Sequence, residues 1–538
     1  MTAVQQLQAI CDESWEATLR ENPTYATYLG DFRYNDRLAD ISAAGRARRQ
    51  ALHEGFLGRL RALDLAALPE SDRVTADILR LQLEQAIEEE RHKFWQWDVD
   101  QMGGPQVDFP QLLNYHPLSD LKGLEARFRA FPAWMKQYLD NLRDGLRENR
   151  VAMRVAVERV IGQLKGLLAT PEDKSPFAAK PELLPSIKDS VYPAFRTMLA
   201  FLEQDYLPKA RTRDVGLWAL PGGKEAYEFR IRLHTTTDLG AEEIHRIGLQ
   251  ELRSIQDEMR KIAKGDLKPF MEKLKKETKN FFTSREDLLE MARRELTKAN
   301  AKLPAWFKRL PKNECEVKPI EEYRERDCVA AFYYPPDEKL TRKGIFYANT
   351  FDATSRPRFN MPALAIHEAV PGHHLQIALA LEIEGLPKFR RQAGFTAFVE
   401  GWGLYSERLG DEMGLYEDEL SRFGMLTYQA WRACRLVVDT GLHALQWTRQ
   451  QAIDFFMENV ALTETEVLNE IDRYIIWPGQ ALAYMIGKRE IFALRDEAKK
   501  AMGARFDIKE FHDVVLRNGA IPLTTLRRLL RDWAGIKN

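Results

Sequence analysis

The sequence predicts a mainly α-helical protein: a large helical body with one small β-sheet beside the helix that carries its densest histidine cluster. Three observations lead there. Apolar residues recur three or four apart through most of the chain, short β-rich runs are confined to residues 314–350, and helical spacing resumes from about 362 to the end.

The first 300 residues supply most of the helix. Segments such as "SDRVTADILRLQLEQAIEEERHKF" and "AEEIHRIGLQELRSIQDEMRKIAKG" place an apolar stripe on one face, and Asn22-Pro23, Pro105, the stretch from Pro181 to Pro185 and "LPGGKEA" punctuate them. Residues 1–300 are therefore expected to form a helical scaffold, with residues 301–538 as a second subdomain holding the sheet and the histidine-bearing helices. Within 314–350, "ECEVKPI", "CVAAFYYPP" and "GIFYANT" are rich in β-formers, and "DEKLTRK" joins the last two as a hairpin. Later helical breaks are expected near Gly385, Gly410, Pro478 and Gly519.

Composition narrows the function. A chain of 538 residues can bury a site, and 79 Lys+Arg against 80 Asp+Glu give no overall field to select nucleic acid or an anionic membrane. The expectation is no nucleic-acid and no membrane partner, with oligomeric state left open. Charge runs such as Glu88-Glu89-Glu90 and the lysine-rich stretch from Lys273 to Lys279 are expected as solvated faces. Four scattered cysteines, Cys11, Cys315, Cys328 and Cys434, suit neither a disulfide framework nor a thiolate zinc site, and point to a reducing compartment. The first residues lack a cationic segment followed by an apolar one, so a cytoplasmic location is expected. The apolar run "YIIWPGQALAYMIG" is interrupted by Pro478 and Gly479 and falls short of the roughly 20 residues a spanning helix needs.

The motif that carries chemistry is "HEAVPGHHLQ", residues 367–376. In an H-E-x-x-H helix, imidazoles at i and i+4 share a face and one metal ion, while the glutamate at i+1 reaches a water on that ion. Here i+4 is Pro371. On a regular helix, His373 at i+6 would point about 120° away and His374 at i+7 would sit about 10 Å up the axis. Pro371 removes the N–H that would bond the His367 carbonyl, and Gly372 adds backbone freedom, so the helix is expected to bulge and return a later histidine to His367. His373 is the first choice as second ligand, because the shorter insertion reaches it; His374 is the alternative. A third ligand is expected in "GFTAFVEGWGLYSERLG", where Glu400 lies on a face of small, mostly apolar residues, a costly place for an uncompensated carboxylate. Glu407, flanked by Ser406 and Arg408, is expected to make a surface ion pair.

Together "HEAVPGHHLQ", "FVEGWGLYSE", "WPGQALAYMIG" and the early "NPTYATYLGDFRYNDRL" resemble the bacterial domain-of-unknown-function family 885, over nearly the whole chain. That family is similar to the gluzincin metallopeptidases, especially helical, channelled ones such as angiotensin-converting enzyme and the thermostable carboxypeptidase Taq. The resemblance implies a gluzincin-like fold, a Zn2+ cofactor, and Glu368 as general base and acid in the hydrolysis of short peptides. It also suggests "GIFYANT" as an edge strand, with the Ala348 and Asn349 backbone holding an extended peptide. For oxyanion or substrate contacts, Tyr474, Tyr484, Arg473 and Lys488 are candidates, with Tyr484 preferred as catalytic because helical spacing after Pro478 aligns it with Gln480 and Gly487. His234, His245, His443 and His512 are expected as satisfied structural histidines. The competing functions are a metal-dependent amidohydrolase on a non-peptide amide, a di-iron helical bundle using Glu242-x-x-His245, and a helical binding protein with a vestigial site.

Overall fold

The computed structural model describes residues 1–321, 325, 328–336, 342–460 and 462–536. It is mainly α-helical, with a single three-stranded sheet among the described residues. The chain divides into two compact units. The first comprises 1–229, 442–449 and 469–477, and the second 230–441, 450–468 and 478–538. Residues 230–300 thus sit in the unit that holds the histidine motif.

In the first unit, helix α1 (Leu121–Arg147) buries Leu124, Phe128, Phe131, Met135, Leu139 and Leu142, a spacing of three and four that keeps one face inward. Phe109 stacks on Phe131 with centroids 3.8 Å apart, and Phe177 and Phe195 extend the aromatic core. Buried Arg127 on this helix donates to the carbonyls of Pro23, Tyr34 and Arg37 and to the Thr27 hydroxyl, so its charge is solvated by the chain.

In the second unit, β1 (Cys315–Pro319), β2 (Ala331–Tyr334) and β3 (Gly344–Ala348) form a sheet of order β1-β3-β2. β3 pairs parallel with β1 and antiparallel with β2. The β2–β3 hairpin matches the sequence expectation, while residues 337–341 of its loop lie outside the described residues. The expected edge strand is instead the central one. β3 is the most apolar of the three runs and buries Gly344, Ile345, Phe346 and Ala348, which suits a strand covered on both faces and paired on both edges.

Five helices build the centre of this unit. The first histidine lies on α2 (Met361–Glu368), which starts with Pro362 in its first turn, a position where a missing N–H costs nothing. Helices α4 (Thr396–Glu412) and α6 (Ala483–Met502) pack where two glycines meet: a Cβ on Gly401 would lie 2.5 Å from the Gly487 Cα. Helix α5 (Glu419–His443) is buried along most of its length, which explains its apolar run around Val437. Between α2 and α4 lies α3 (His373–Leu381). No helix of the described residues is long and apolar enough to cross a membrane.

Candidate metal centre

The motif folds as two helices with a four-residue connection, 369–372, rather than as one bulged helix. α2 ends at Glu368, Ala369 leaves helical geometry at φ −102° and ψ −105°, and α3 restarts at His373. A bulge would keep the hydrogen-bond ladder running, but Pro371 has no N–H to contribute to it. The connection is pinned instead. Gly372 N–H donates to the Ile366 carbonyl (3.0 Å), and Trp402 Nε1–H donates to the Pro371 carbonyl (2.8 Å). Gly372 packs so closely that a Cβ would lie 2.0 Å from the His367 carbonyl oxygen.

This connection brings His367 and His373 edge to face, with centroids 4.6 Å apart at 84°. Glu400 on α4 completes the group. His367 Nε2 lies 3.6 Å and His373 Nε2 3.5 Å from Glu400 Oε2, and the three ligand atoms all fall within 4.8 Å of one another. Among the described residues this is the one such cluster of His, Cys, Asp or Glu. Zinc bonds of about 2.1 Å in tetrahedral arrangement set ligand atoms about 3.4 Å apart, close to both nitrogen–oxygen separations. The donor set of two imidazoles and a carboxylate also suits zinc.

The surroundings hold this geometry. A Cβ on Gly403 would lie 2.7 Å from His367 Cε1, so glycine makes room for the ring on the same helix that supplies Glu400. His367 Nδ1–H donates to Glu407 Oε1 at 2.8 Å, the carboxylate–histidine arrangement that orients a metal ligand. Glu407 is 0% exposed and also accepts from Gln429 Nε2 at 3.1 Å. It is therefore not the surface ion pair expected from its neighbours; Arg408 pairs with Glu258 instead. The available signal was its spacing, two turns beyond Glu400 with Gly403 between. Burial works against charge on both His367 and Glu400, yet the Glu400 and Glu407 carboxylates raise His367 to about 9, and the two histidines hold Glu400 well below the usual carboxylate range.

Glu368 follows His367 and is 9% exposed. Among the described residues its carboxylate has no hydrogen-bond or ion-pair partner, and its charge acts on His367. It is close enough to Cys315 to add to the effect of burial, which pushes that thiol up to about 12.

His374 stands apart from the cluster. Its Nε2 meets the Asn313 carbonyl at 2.9 Å and its Nδ1 meets the Tyr333 hydroxyl at 2.9 Å, so both ring nitrogens are used on the side of the sheet. Burial lowers it to about 4.

The other expected residues have partners of their own. The Ala348 backbone is engaged in the central strand, paired with Pro319 and Ala331. Asn349 is buried, and its Nδ2 donates to the carbonyls of Glu325, Cys328 and Val329, so it ties down the chain before β2 rather than facing a peptide. Lys488 is drawn inward to Gln429 Oε1 (3.1 Å) and Glu251 (3.4 Å). Tyr484 is half-buried on α6, with the Arg435 guanidinium 4.5 Å from its ring centre. Arg473 and Tyr474 belong to the first unit, where both bond Glu470. His443, also of that unit, accepts from Leu217 N–H and donates to the Tyr474 carbonyl. His512 lies between the Tyr405 hydroxyl and the Trp306 carbonyl. His245 meets the Thr440 hydroxyl at 2.9 Å and Glu242 is exposed, so neither joins the cluster. His234 lies 3.4 Å from the Thr396 hydroxyl.

The chain matches the family described as "Bacterial protein of unknown function (DUF885)" over residues 23–530. Two solved structures share its fold. The "putative lipoprotein" from Colwellia psychrerythraea is 28% identical, with a TM-score of 0.93 over 99% of this chain and 100% of that one. A "putative lipoprotein of unknown function" from Shewanella oneidensis is 21% identical, with a TM-score of 0.78 over 97% and 98% of the two chains. No curated protein matches the chain.

Proposed function

We propose that the chain, which belongs to the DUF885 family, is a zinc-dependent metallopeptidase acting on short peptides. The observation that carries this is the convergence of His367, His373 and Glu400 at separations of 3.5 and 3.6 Å. These lengths are long for a hydrogen bond and close to the edge of a zinc tetrahedron. Two histidines, a glutamate from a later helix and a glutamate beside the first histidine are also the functional groups of the gluzincin peptidases.

His367, His373 and Glu400 would hold the ion. Bound there, zinc would supply Lewis acidity, lowering the pKa of a water and polarising a carbonyl. The residues of the chain do the rest. Glu368 accepts a proton from the attacking water and returns it to the leaving amine, a dual role that needs a carboxylate without competing partners. Glu407 keeps His367 oriented with its Nδ1 hydrogen turned away from the cluster.

Metal analysis of the purified protein, followed by digestion of a mixed peptide library, tests the proposal. The expected result is one zinc per chain and peptide cleavage that Glu368→Gln abolishes while zinc is retained. Zinc at stoichiometry with no cleavage of any peptide, but hydrolysis of other amides, would move the assignment to an amidohydrolase. Two irons per chain would replace it with the di-iron alternative.

A further inference from the structure

Behind Glu407 lies a row of buried polar groups that hydrolysis itself does not use. Gln429 on α5 donates from Nε2 to Glu407 Oε2 (3.1 Å) and to the Leu404 carbonyl (3.2 Å), which occupies both amide hydrogens. Its Oε1 accepts from Lys488 Nζ at 3.1 Å. Lys488 on α6 is 7% exposed and is countered by Glu251, which also pairs with Arg489.

The row has a direction. An ammonium only donates, so the Gln429 atom facing Lys488 must be the carbonyl oxygen. The amide nitrogen then faces Glu407, which as a carboxylate only accepts. With Oε2 taken by Gln429, Oε1 receives Nδ1–H of His367, so when the ring gives up its second proton to bind a metal the lone pair is left on Nε2, the atom that faces Glu400. Every donor and acceptor in this sequence is assigned by the groups at its two ends.

The geometry points to Gln429 and Lys488 as positioning residues of the metal centre, which act through Glu407 to fix the tautomer and orientation of His367. This rests on the zinc reading above and adds two residues from two other helices to it. A purely structural role would be served as well by any pair that packs the same space, whereas a positioning role requires the direction of donation.

The test is zinc affinity by chelator competition, with the visible spectrum of the cobalt(II)-substituted protein as a second readout, in folded variants matched by circular dichroism. Gln429→Met, which keeps the volume and removes both donors and acceptor, is expected to weaken zinc binding by about 10-fold to 100-fold and to change the cobalt bands. Lys488→Met is expected to weaken it less, and Lys488→Arg, which still donates, to restore affinity to within about three-fold of wild type. Because the residues act in series, the double variant should bind no more weakly than Gln429→Met alone. Should Gln429→Met fail to fold, the two Lys488 variants decide the matter. Wild-type zinc affinity in Gln429→Met or Lys488→Met, or losses that add in the double variant, would overturn the inference and leave the zinc reading standing. A wild-type protein that takes up neither zinc nor cobalt would overturn both.

Discussion

At the residue scale, the decisive contrast is between two adjacent histidines with opposite surroundings. His373 turns Nε2 to Glu400, whereas His374 spends both nitrogens on Asn313 and Tyr333. His373→Ala is therefore expected to abolish zinc uptake. His374→Ala is expected to retain zinc and lose stability by about 1–3 kcal/mol, the usual cost of stranding buried hydrogen-bonding groups. Metal content and thermal melts of the two variants check this, and the reverse pattern would move the ligand to His374. Much of this was legible in the sequence: the Pro-Gly pair showed that separated histidines can converge, and a carboxylate among small residues marked Glu400. Glu407 was not legible, because Ser406 and Arg408 look like a solvated face, and only the structure sends Arg408 to Glu258 and leaves Glu407 inside. Glu407→Gln should bind zinc about 10-fold or more weakly, since a neutral amide is a poorer acceptor for the His367 N–H.

At the level of elements, the connection 369–372 is what turns a failed spacing into a site. Gly372→Ala would place a Cβ 2.0 Å from a backbone oxygen that cannot swing aside. Relieving the clash must move His367 or His373, so a loss of about 1–3 kcal/mol in stability and a clear loss of zinc affinity are expected together. Unchanged metal binding in this variant would show that the connection merely links two helices. The sequence showed where this break falls and not its form, since a Pro-Gly pair occurs both in bulged helices and between separate ones. It also revealed three strands but not their order. Hairpin proximity makes β3 a neighbour of β2, whereas the pairing with β1 depends on packing that no local pattern records. The apolar character of "GIFYA" was the clue that it is the middle strand.

At the scale of the whole molecule, acid sensitivity follows from buried neutral histidines. Burial lowers His374 and His443 to about 4, each within its own unit, from an ordinary value near 6.5; His512 is lowered further, to about 3. The unfolded chain therefore binds these protons first, so stability present above about pH 6.5 is lost as pH falls through the folded values. Each such histidine contributes on the order of 3 kcal/mol across that window. Urea denaturation of metal-free protein should show a midpoint that declines steeply between about pH 6.5 and 4 and is insensitive to these groups above it; a flat profile would mean that the rings take up protons in the folded state. The division into units was only partly legible. Residues 230–300 carry the same amphipathic spacing as the helices before them, and no composition shift marks the point near 229 where one unit gives way to the next.

The most direct test of the metal centre is anomalous diffraction at the zinc edge from crystals of the purified protein. One peak is expected about 2.1 Å from His367 Nε2, His373 Nε2 and a Glu400 carboxylate oxygen. No peak at that position, or one bonded to His374 instead, would contradict the account.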